Sequence, residues 1–439
     1  MNCQFYDIEF LIKCHYSTVN TRFYTFFRCR ILLNMIFDFQ KKYDIAVAGA
    51  GVAGIAAALA AARRGHKVVL LEKQMLIGGL ATSGLIYIYL PLCDGQGTQV
   101  TFGISEEMLR TSIEFSPFDI PEKWGGKVGG RDLRGNRYDC CFSPAGMILS
   151  LDDLLREAGV DLWLDSRVCA VQKANDGKVT ALEVENCSGR GVVHAQYFVD
   201  ATGDATLVRR AGGETETAEN RHSLWMIQRS PAEKLVYHFT DQIHIIPFGS
   251  AEPIRTVDGD VRQADVHTDF IRTSWNTARE YYRESYRSGK TDRYNHYPLH
   301  LPAMAQLRKI ACIKGVETLE DGSEWQRFDS SVGLYADWRR PGKVYETPYG
   351  SLIPADVKGV YVAGRCISAV GDAWESYRVI PSAAMTGEVA GVGAALAVER
   401  KCDATELTAE ELRTELRKNN FKFHFEEVGL NPAEHNNIK

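Results

Sequence analysis

The feature that most constrains this chain is the stretch from Tyr43 to Glu72, where two short apolar segments flank a glycine loop and an alanine-rich segment. YDIAVA at 43–48 is apolar and β-prone, and Val52 to Arg64 has the composition and length of a helix. Gly65 stops that helix, and KVVLL at 67–71 reads as a second buried strand ending in Glu72. A strand, a helix and a strand within about thirty residues make one unit of a doubly wound, parallel α/β sheet.

The loop between strand and helix carries Gly49, Gly51 and Gly54. Glycine runs occur at many helix starts, so the pattern alone is weak; its place after a strand, before a helix and ahead of an acidic strand end is what dinucleotide binding demands. Gly49 permits the tight turn, Gly51 lets the backbone approach a pyrophosphate, and Gly54 lets helix and strand pack closely. Val52 and Ala53 open the helix, whose free N–H groups and partial positive charge suit phosphates. Glu72, followed by Lys73, would accept hydrogen bonds from a ribose diol. FAD and NAD share this loop geometry, so the loop does not separate them.

Farther along, SPAGMILSLDDLLREAGV has the spacing of an amphipathic helix, and DLWLDSRVCAVQ follows as a strand with a hairpin through Asn175, Asp176 and Gly177. VVHAQYFVDAT reads as one strand returning to a turn at Gly203 and Asp204. GVYVAG at 359–364 is a last strand before a small-residue helix from Ser382 to about Glu399. Thr408 and Glu411 form a capping box for a terminal polar helix. Gly and charge dominate PEKWGGKVGGRDLRGNR, which reads as part of an exposed or substrate-facing excursion from Gly78 to about Asp139.

The expected organisation is a discontinuous nucleotide domain (42–95, 143–212 and 343–400), an α+β substrate domain inserted as 96–142 and 213–342, and a C-terminal helix and tail (401–439). Residues 1–41 are aromatic and basic without helical or strand periodicity. They read as an extension, disordered or upstream of a start at Met35, without the apolar run of a signal peptide or a membrane span.

With 51 basic against 56 acidic residues there is no basic excess to hold nucleic acid or an anionic membrane. The 11 cysteines are scattered, with no Cys-x-x-Cys pair for zinc or an iron–sulfur cluster. This usage suits reduced thiols and a cytoplasmic location. No metal ligand set is expected.

The run GAGVAGIAAALAAARRGHKVVLLEKQMLIGGLATSGLI resembles the opening of the FAD-dependent oxidoreductase family that includes the flavin subunit of heterodisulfide reductase, with fumarate reductase and glutathione reductase flavoproteins as more distant kin. FVDATGDATL at 198–207 and GVYVAGRCISAVGDAWESYRVIPSAAMTGEVAG at 359–391 match the same family, the latter being far more specific than the glycine loop. The resemblance implies FAD and a Rossmann-like FAD-binding domain of glutathione reductase type. Gly78, Gly79, Leu80, Ala81 and Thr82 would lie near the isoalloxazine ring. Val168 would present its backbone to the adenine, and Ala201, Thr202, Gly203 and Asp204 would pass beneath the nucleotide. Gly364 and Arg365 would approach the pyrophosphate and ribityl chain. Pro381, Ser382 and Ala383 would aim a helix N-terminus at the flavin, where it stabilises charge on the reduced ring. Relatives can also work with iron–sulfur clusters, which the cysteine spacing here does not support.

Two stretches depart from the relatives: AVGDA at 369–373, where many carry a His-Glu pair, and MAQLRKI at 304–310, in place of an Arg-Glu-Ser-Arg-like run. The expected chemistry is hydride transfer between a small polar metabolite and flavin N5. Arg378, Arg308, His296 and His300 are the candidate catalytic groups. Arg378 stands where fumarate reductase relatives place a substrate-binding arginine; for His296 and His300 the favoured alternative is a packing or surface role. No Cys-x4-Cys pair stands in the first segment, which argues against disulfide reductase chemistry. The alternative is a flavin-bearing electron-transfer subunit acting with a redox partner protein.

Overall fold

In the computed structural model, residues 37–127, 137–231, 239–249 and 254–435 are described. Five parallel strands form the central sheet: β1 (Ile45–Ala48), β2 (Val68–Leu71), β3 (Asp161–Trp163), β4 (Tyr197–Asp200) and β5 (Val360–Val362), in the order β5-β4-β1-β2-β3. The register sets Ile45 beside Val68 on one side and beside Tyr197 on the other. Every residue of β1, β2, β4 and β5 is buried, as a sheet covered on both faces requires.

One face is covered by α1 (Val52–Ala62), which packs against the long helix α4 (Ile380–Arg400); α2 (Ala264–Arg287) and α3 (Gly371–Tyr377) are among the helices that precede α4 in the chain. Small residues explain the close approach of α1 and α4. A Cβ on Gly387 would lie 2.2 Å from the Ala53 carbonyl oxygen, and one on Gly391 would lie 2.3 Å from that of Ala57. Among the described residues α4 is also the one helix long and apolar enough to cross a membrane, and 89% of its apolar window is buried in the core.

The strand–helix–strand expectation at 43–72 matches β1, α1 and β2, and the helix after Ser143 forms at Pro144–Glu157 with the Ser143 hydroxyl accepting from the Gly146 amide. Thr408 and Glu411 form the expected capping box. Two strands read as single are each divided between sheets. DLWLDSRVCAVQ gives β3 and Arg167–Lys173, separated at Asp165, whose φ of 48° breaks extended backbone. VVHAQYFVDAT gives Gly189–His194 and β4, with the chain crossing at Gln196, whose amide donates to the Asp44 carbonyl. The outer segments join Val179–Asn186 and Phe39–Lys42 in a separate four-stranded sheet.

Residues 1–36 of the expected extension lie outside the described residues; its last residues pair as the strand Phe39–Lys42. The supposed excursion is not wholly exposed, since the helix Ile104–Thr111 buries Ile104, Met108 and Leu109 in the main core; its loop at 128–136 lies outside the described residues. Between 213 and 342 the chain forms a three-stranded antiparallel sheet, with Leu224–Arg229 between Ile243–Phe248 and Tyr297–His300, on which α2 buries Ala278 and Tyr282.

Candidate active site

A cavity of about 380 Å³ opens at the C-terminal ends of β1, β2, β4 and β5, the side of a doubly wound sheet where ligands bind. Its floor is the glycine loop, and the three glycines do different work there. A Cβ on Gly49, where φ is 96°, would lie 2.6 Å from the Ala201 carbonyl oxygen, and one on Gly54 would lie 1.8 Å from that of Gly49. A Cβ on Gly51 would meet nothing within 4 Å, because this position faces the cavity. The loop is therefore packed tightly on the protein side and left open on the ligand side. Val52 and Ala53 line the cavity from the first turn of α1, whose N–H groups have no intrahelical partner.

Glu72 and Lys73 reach the cavity from the end of β2. The buried Glu72 carboxylate accepts from the Ala50 amide at 2.8 Å and the Gln74 amide at 2.9 Å, which ties the acidic strand end to the glycine loop. Burial pushes its pKa up, with those amides and Lys73 opposing. Lys73 faces Asp204 at 3.8 Å, beside Ala201, Thr202 and Gly203 on the opposite wall. Burial would raise the pKa of Asp204, but Lys73, the Thr206 and Thr202 hydroxyls and Arg209 hold it below its usual range. Asp200 is sealed beneath, accepting from the Thr202 amide and hydroxyl and from the Val208 amide.

Gly78, Gly79, Leu80 and Ala81 form a tight turn on another wall. Thr82 does not line the cavity; its hydroxyl donates to the Ile77 carbonyl and it packs under Gly78, so it holds the turn. Gly364 and Arg365 complete this wall from the end of β5. Arg365 is buried, and its hydrogen bonds among the described residues go to the carbonyls of Gly203 and Leu307. A buried guanidinium held by carbonyls is a seat for an anion; burial pushes its pKa down.

The N-terminus of α4 points at the same space, with Val379, Ile380 and Ala383 lining it. Pro381 and Ser382 are one layer deeper: Pro381 occupies the first turn and the Ser382 hydroxyl donates to the Tyr377 carbonyl. Val168 is likewise buried away from the cavity, and its neighbour Arg167 lines it instead. Alternation along a strand is the signal that places 167 and 168 on opposite faces. Gln74, His267, Ile271, Met304, Ala305 and Ile310 also line the cavity, beyond the residues that the sequence motifs mark. The last five come from α2 and the 304–310 segment, whose approach to the glycine loop is set by tertiary packing and has no local motif.

The four candidate catalytic residues separate. Arg378 lines the cavity, with its side chain 11% exposed, ion-paired to Glu375 and with its Nε buried and unpartnered among the described residues. Arg308 is nearby and partly buried; its amide donates to Asn220 Oδ1, while its guanidinium has no hydrogen-bond partner among the described residues. Burial and the Arg378 charge push the Arg308 pKa down to about 9, with Glu375 opposing and Arg365 adding to the fall. His296 and His300 do not line the cavity. His296 is buried among Tyr281, Tyr282 and Tyr286 and bonded to Ser285 and Gln228, so it packs α2 against the antiparallel sheet. His300 is exposed on an edge strand.

The open space beyond Gly51, the carbonyl-held Arg365 and two helix N-termini aimed at one cavity fit an extended dinucleotide. Among the described residues no three His, Cys, Asp or Glu side chains gather as a metal site, and the iron–sulfur cluster allowed by the resemblance finds no support.

The profile of the family described as FAD dependent oxidoreductase matches residues 44–309 and 324–416. A vinyl phenol reductase of Lactiplantibacillus plantarum is 38% identical over 188 residues, covering 37% of this chain and 38% of that protein. Aklavinone 12-hydroxylase DnrF of Streptomyces peucetius is 27% identical over 196 residues, covering 39% and 38%. The chain thus spans under two fifths of the length of these curated relatives. Among solved structures, a geranylgeranyl bacteriochlorophyll reductase-like protein from Thermoplasma acidophilum is similar at 15% identity and a TM-score of 0.46, covering 87% of this chain and 85% of that one. On the family match over most of its length, this chain belongs to the FAD dependent oxidoreductases, with FAD as its cofactor and a mixed α/β FAD-binding fold.

Proposed function

We propose that this chain transfers a hydride between a small polar metabolite and N5 of its flavin, with Arg378 as the group that orients the substrate. The observation that carries the reading is the unpartnered Nε of Arg378 in the wall of the cavity that also holds the Gly51 loop. FAD, when bound, supplies the hydride acceptor or donor. The glycine loop, the α1 N-terminus and Arg365 are suited to its phosphates, and Glu72 to its ribose. The N-terminus of α4 supports negative charge at the ring edge. Met304, Ala305 and Ile310 give the cavity an apolar wall that limits water.

The domain division follows from the same reading. The central sheet with its supporting elements is the FAD domain of glutathione reductase type, and the antiparallel sheet with α2 belongs to an inserted substrate domain. Among the described residues the cysteines are free thiols, which suits a reducing, cytoplasmic setting.

The test is to load the purified protein with FAD and expose it anaerobically to a panel of small hydroxy compounds, then expose the reduced protein to the matching carbonyl and alkene compounds. Bleaching or reoxidation of the flavin by one of them is expected. A loaded protein that exchanges electrons with none of them, but does so with a protein redox partner, would replace this reading with that of an electron-transfer subunit.

A further inference from the structure

Around Arg378 in the cavity wall, hydrogen-bond donors outnumber acceptors among the described residues. Arg365 and Arg378 line the cavity, and Arg308 stands between the lining residues Ala305 and Ile310, next to Lys309, with the Arg378 and Arg365 charges opposing its own. Glu375 is ion-paired to Arg378 and lies 3.6 Å from Lys309. Arg365 gives its Nε and Nη1 to two carbonyls, has Asp204 near it, and is set aside for the cofactor's phosphates. That leaves Lys309 and Arg378 on the carboxylate of Glu375, the partly buried Arg308 guanidinium bonded to no described residue, and the buried Arg378 Nε without an acceptor among the described residues.

Two further unpartnered donors sit on segments tied to this place. Ser83 Oγ and Trp225 Nε1 are buried without partners among the described residues. Gln306, two residues before Arg308, donates to the Gly84 carbonyl and to the Trp225 carbonyl at 3.1 Å, and accepts from the Trp225 amide at 2.9 Å. The Ala303 amide donates to the Ser83 carbonyl at 2.8 Å. Buried donors left without acceptors call for an explanation, and an excess of positive charge narrows it to a ligand that brings anionic oxygens. A guanidinium presents its N–H groups as a planar fork that matches a carboxylate.

We propose that the substrate carries a carboxylate, held between Arg308 and Arg378 beside the start of α4. This rests on the reading of the cavity as the flavin and substrate site, and it names the substrate class. Glu375 and Lys309 are positioning residues: Glu375 fixes one face of Arg378 and leaves its Nε edge turned to the ligand.

The experiment reads binding without turnover. FAD-loaded protein is titrated at constant ionic strength with malonate and benzoate, and in parallel with propane-1,3-diol and benzyl alcohol, following the flavin difference spectrum and the melting temperature. The acids are expected to bind saturably and the alcohols not. Arg308→Met and Arg378→Met should each weaken acid binding roughly ten- to hundredfold, as loss of a hydrogen-bonded charge does, with FAD content unchanged. If either Met variant fails to fold, Arg308→Lys and Arg378→Lys carry the test, keeping charge while losing the fork and weakening binding less. The proposal is overturned if alcohols bind as well as acids, if the variants bind acids as the parent does, or if a folded Arg308 variant loses FAD, which would assign that guanidinium to the cofactor. Saturable acid binding by a flavin that no small compound reduces would overturn the hydride-transfer reading and leave the carboxylate site standing.

Discussion

Replacing Gly51 by valine separates cofactor binding from folding, because this glycine is open on the ligand side alone. Gly51 caps α1 in extended backbone, with φ −72° and ψ 177°, a conformation any residue adopts. Its added Cβ would meet nothing within 4 Å. The apoprotein should therefore melt within about 0.5 kcal/mol of the parent. FAD at about a hundred times its dissociation constant stabilises a native state by about 2.7 kcal/mol. At about 2.1 cal/mol/K per residue, 439 residues give an unfolding entropy of about 0.9 kcal/mol/K, so FAD should raise the parent midpoint by about 3 °C. Gly51→Val should lose that rise and the bound flavin absorbance, since the branched side chain takes the space left for the phosphates. Gly54→Ala is the contrast: its Cβ would lie 1.8 Å from the Gly49 carbonyl oxygen, so the apoprotein itself should lose about 1–3 kcal/mol or more. Melting curves of both variants with and without FAD, with flavin content on the same samples, decide the matter. Full flavin content in Gly51→Val, or an apo midpoint that falls as far as that of Gly54→Ala, would refute the reasoning.

Arg378→Ala should keep FAD but slow flavin reduction by the eventual substrate on the order of a hundredfold; full flavin content with an unchanged rate would remove Arg378 from the site. Glu388, buried in α4, accepts from the Ile104 amide and from Asn419 Nδ2, both at 2.6 Å, and burial pushes its pKa up to about 7, with Glu107 adding and Arg63 opposing. The folded chain thus holds this proton more tightly than the unfolded one, so the stability it contributes is full below about pH 4.5 and is lost as pH rises through about 7, a swing of roughly 3 kcal/mol. Glu388→Gln should flatten the fall in melting temperature between pH 5 and 8; a parent-minus-variant difference that does not change with pH would rule this out.

Local sequence determined which residues form one side of the cavity. The glycine loop, Glu72, the Gly78-Gly79 turn and Gly364-Arg365 could be placed because each is a local solution to a local problem: a turn that only glycine fits, a helix start, or a strand end. Each of these motifs lines the cavity. Tertiary structure decided the rest. DLWLDSRVCAVQ reads as one strand by composition, yet β3 and Arg167–Lys173 belong to different sheets, because pairing partners come from β2 and from Val179–Asn186. His296 carries a chemistry-bearing side chain that burial against three tyrosines makes a packing residue, while His267, unremarkable in sequence, lines the cavity. Phe421, Phe423 and Phe425 of the tail are buried, which the polar helix before them does not announce. Arg308 and Arg378 are seventy positions apart, and no periodicity links them. Hydrogen-bond geometry and hydrophobic periodicity act over a few residues and can be read directly. Convergence of charges on a cavity depends on how the sheet, α2 and α4 pack, a sum of weak non-local contacts that appears only once the chain is folded.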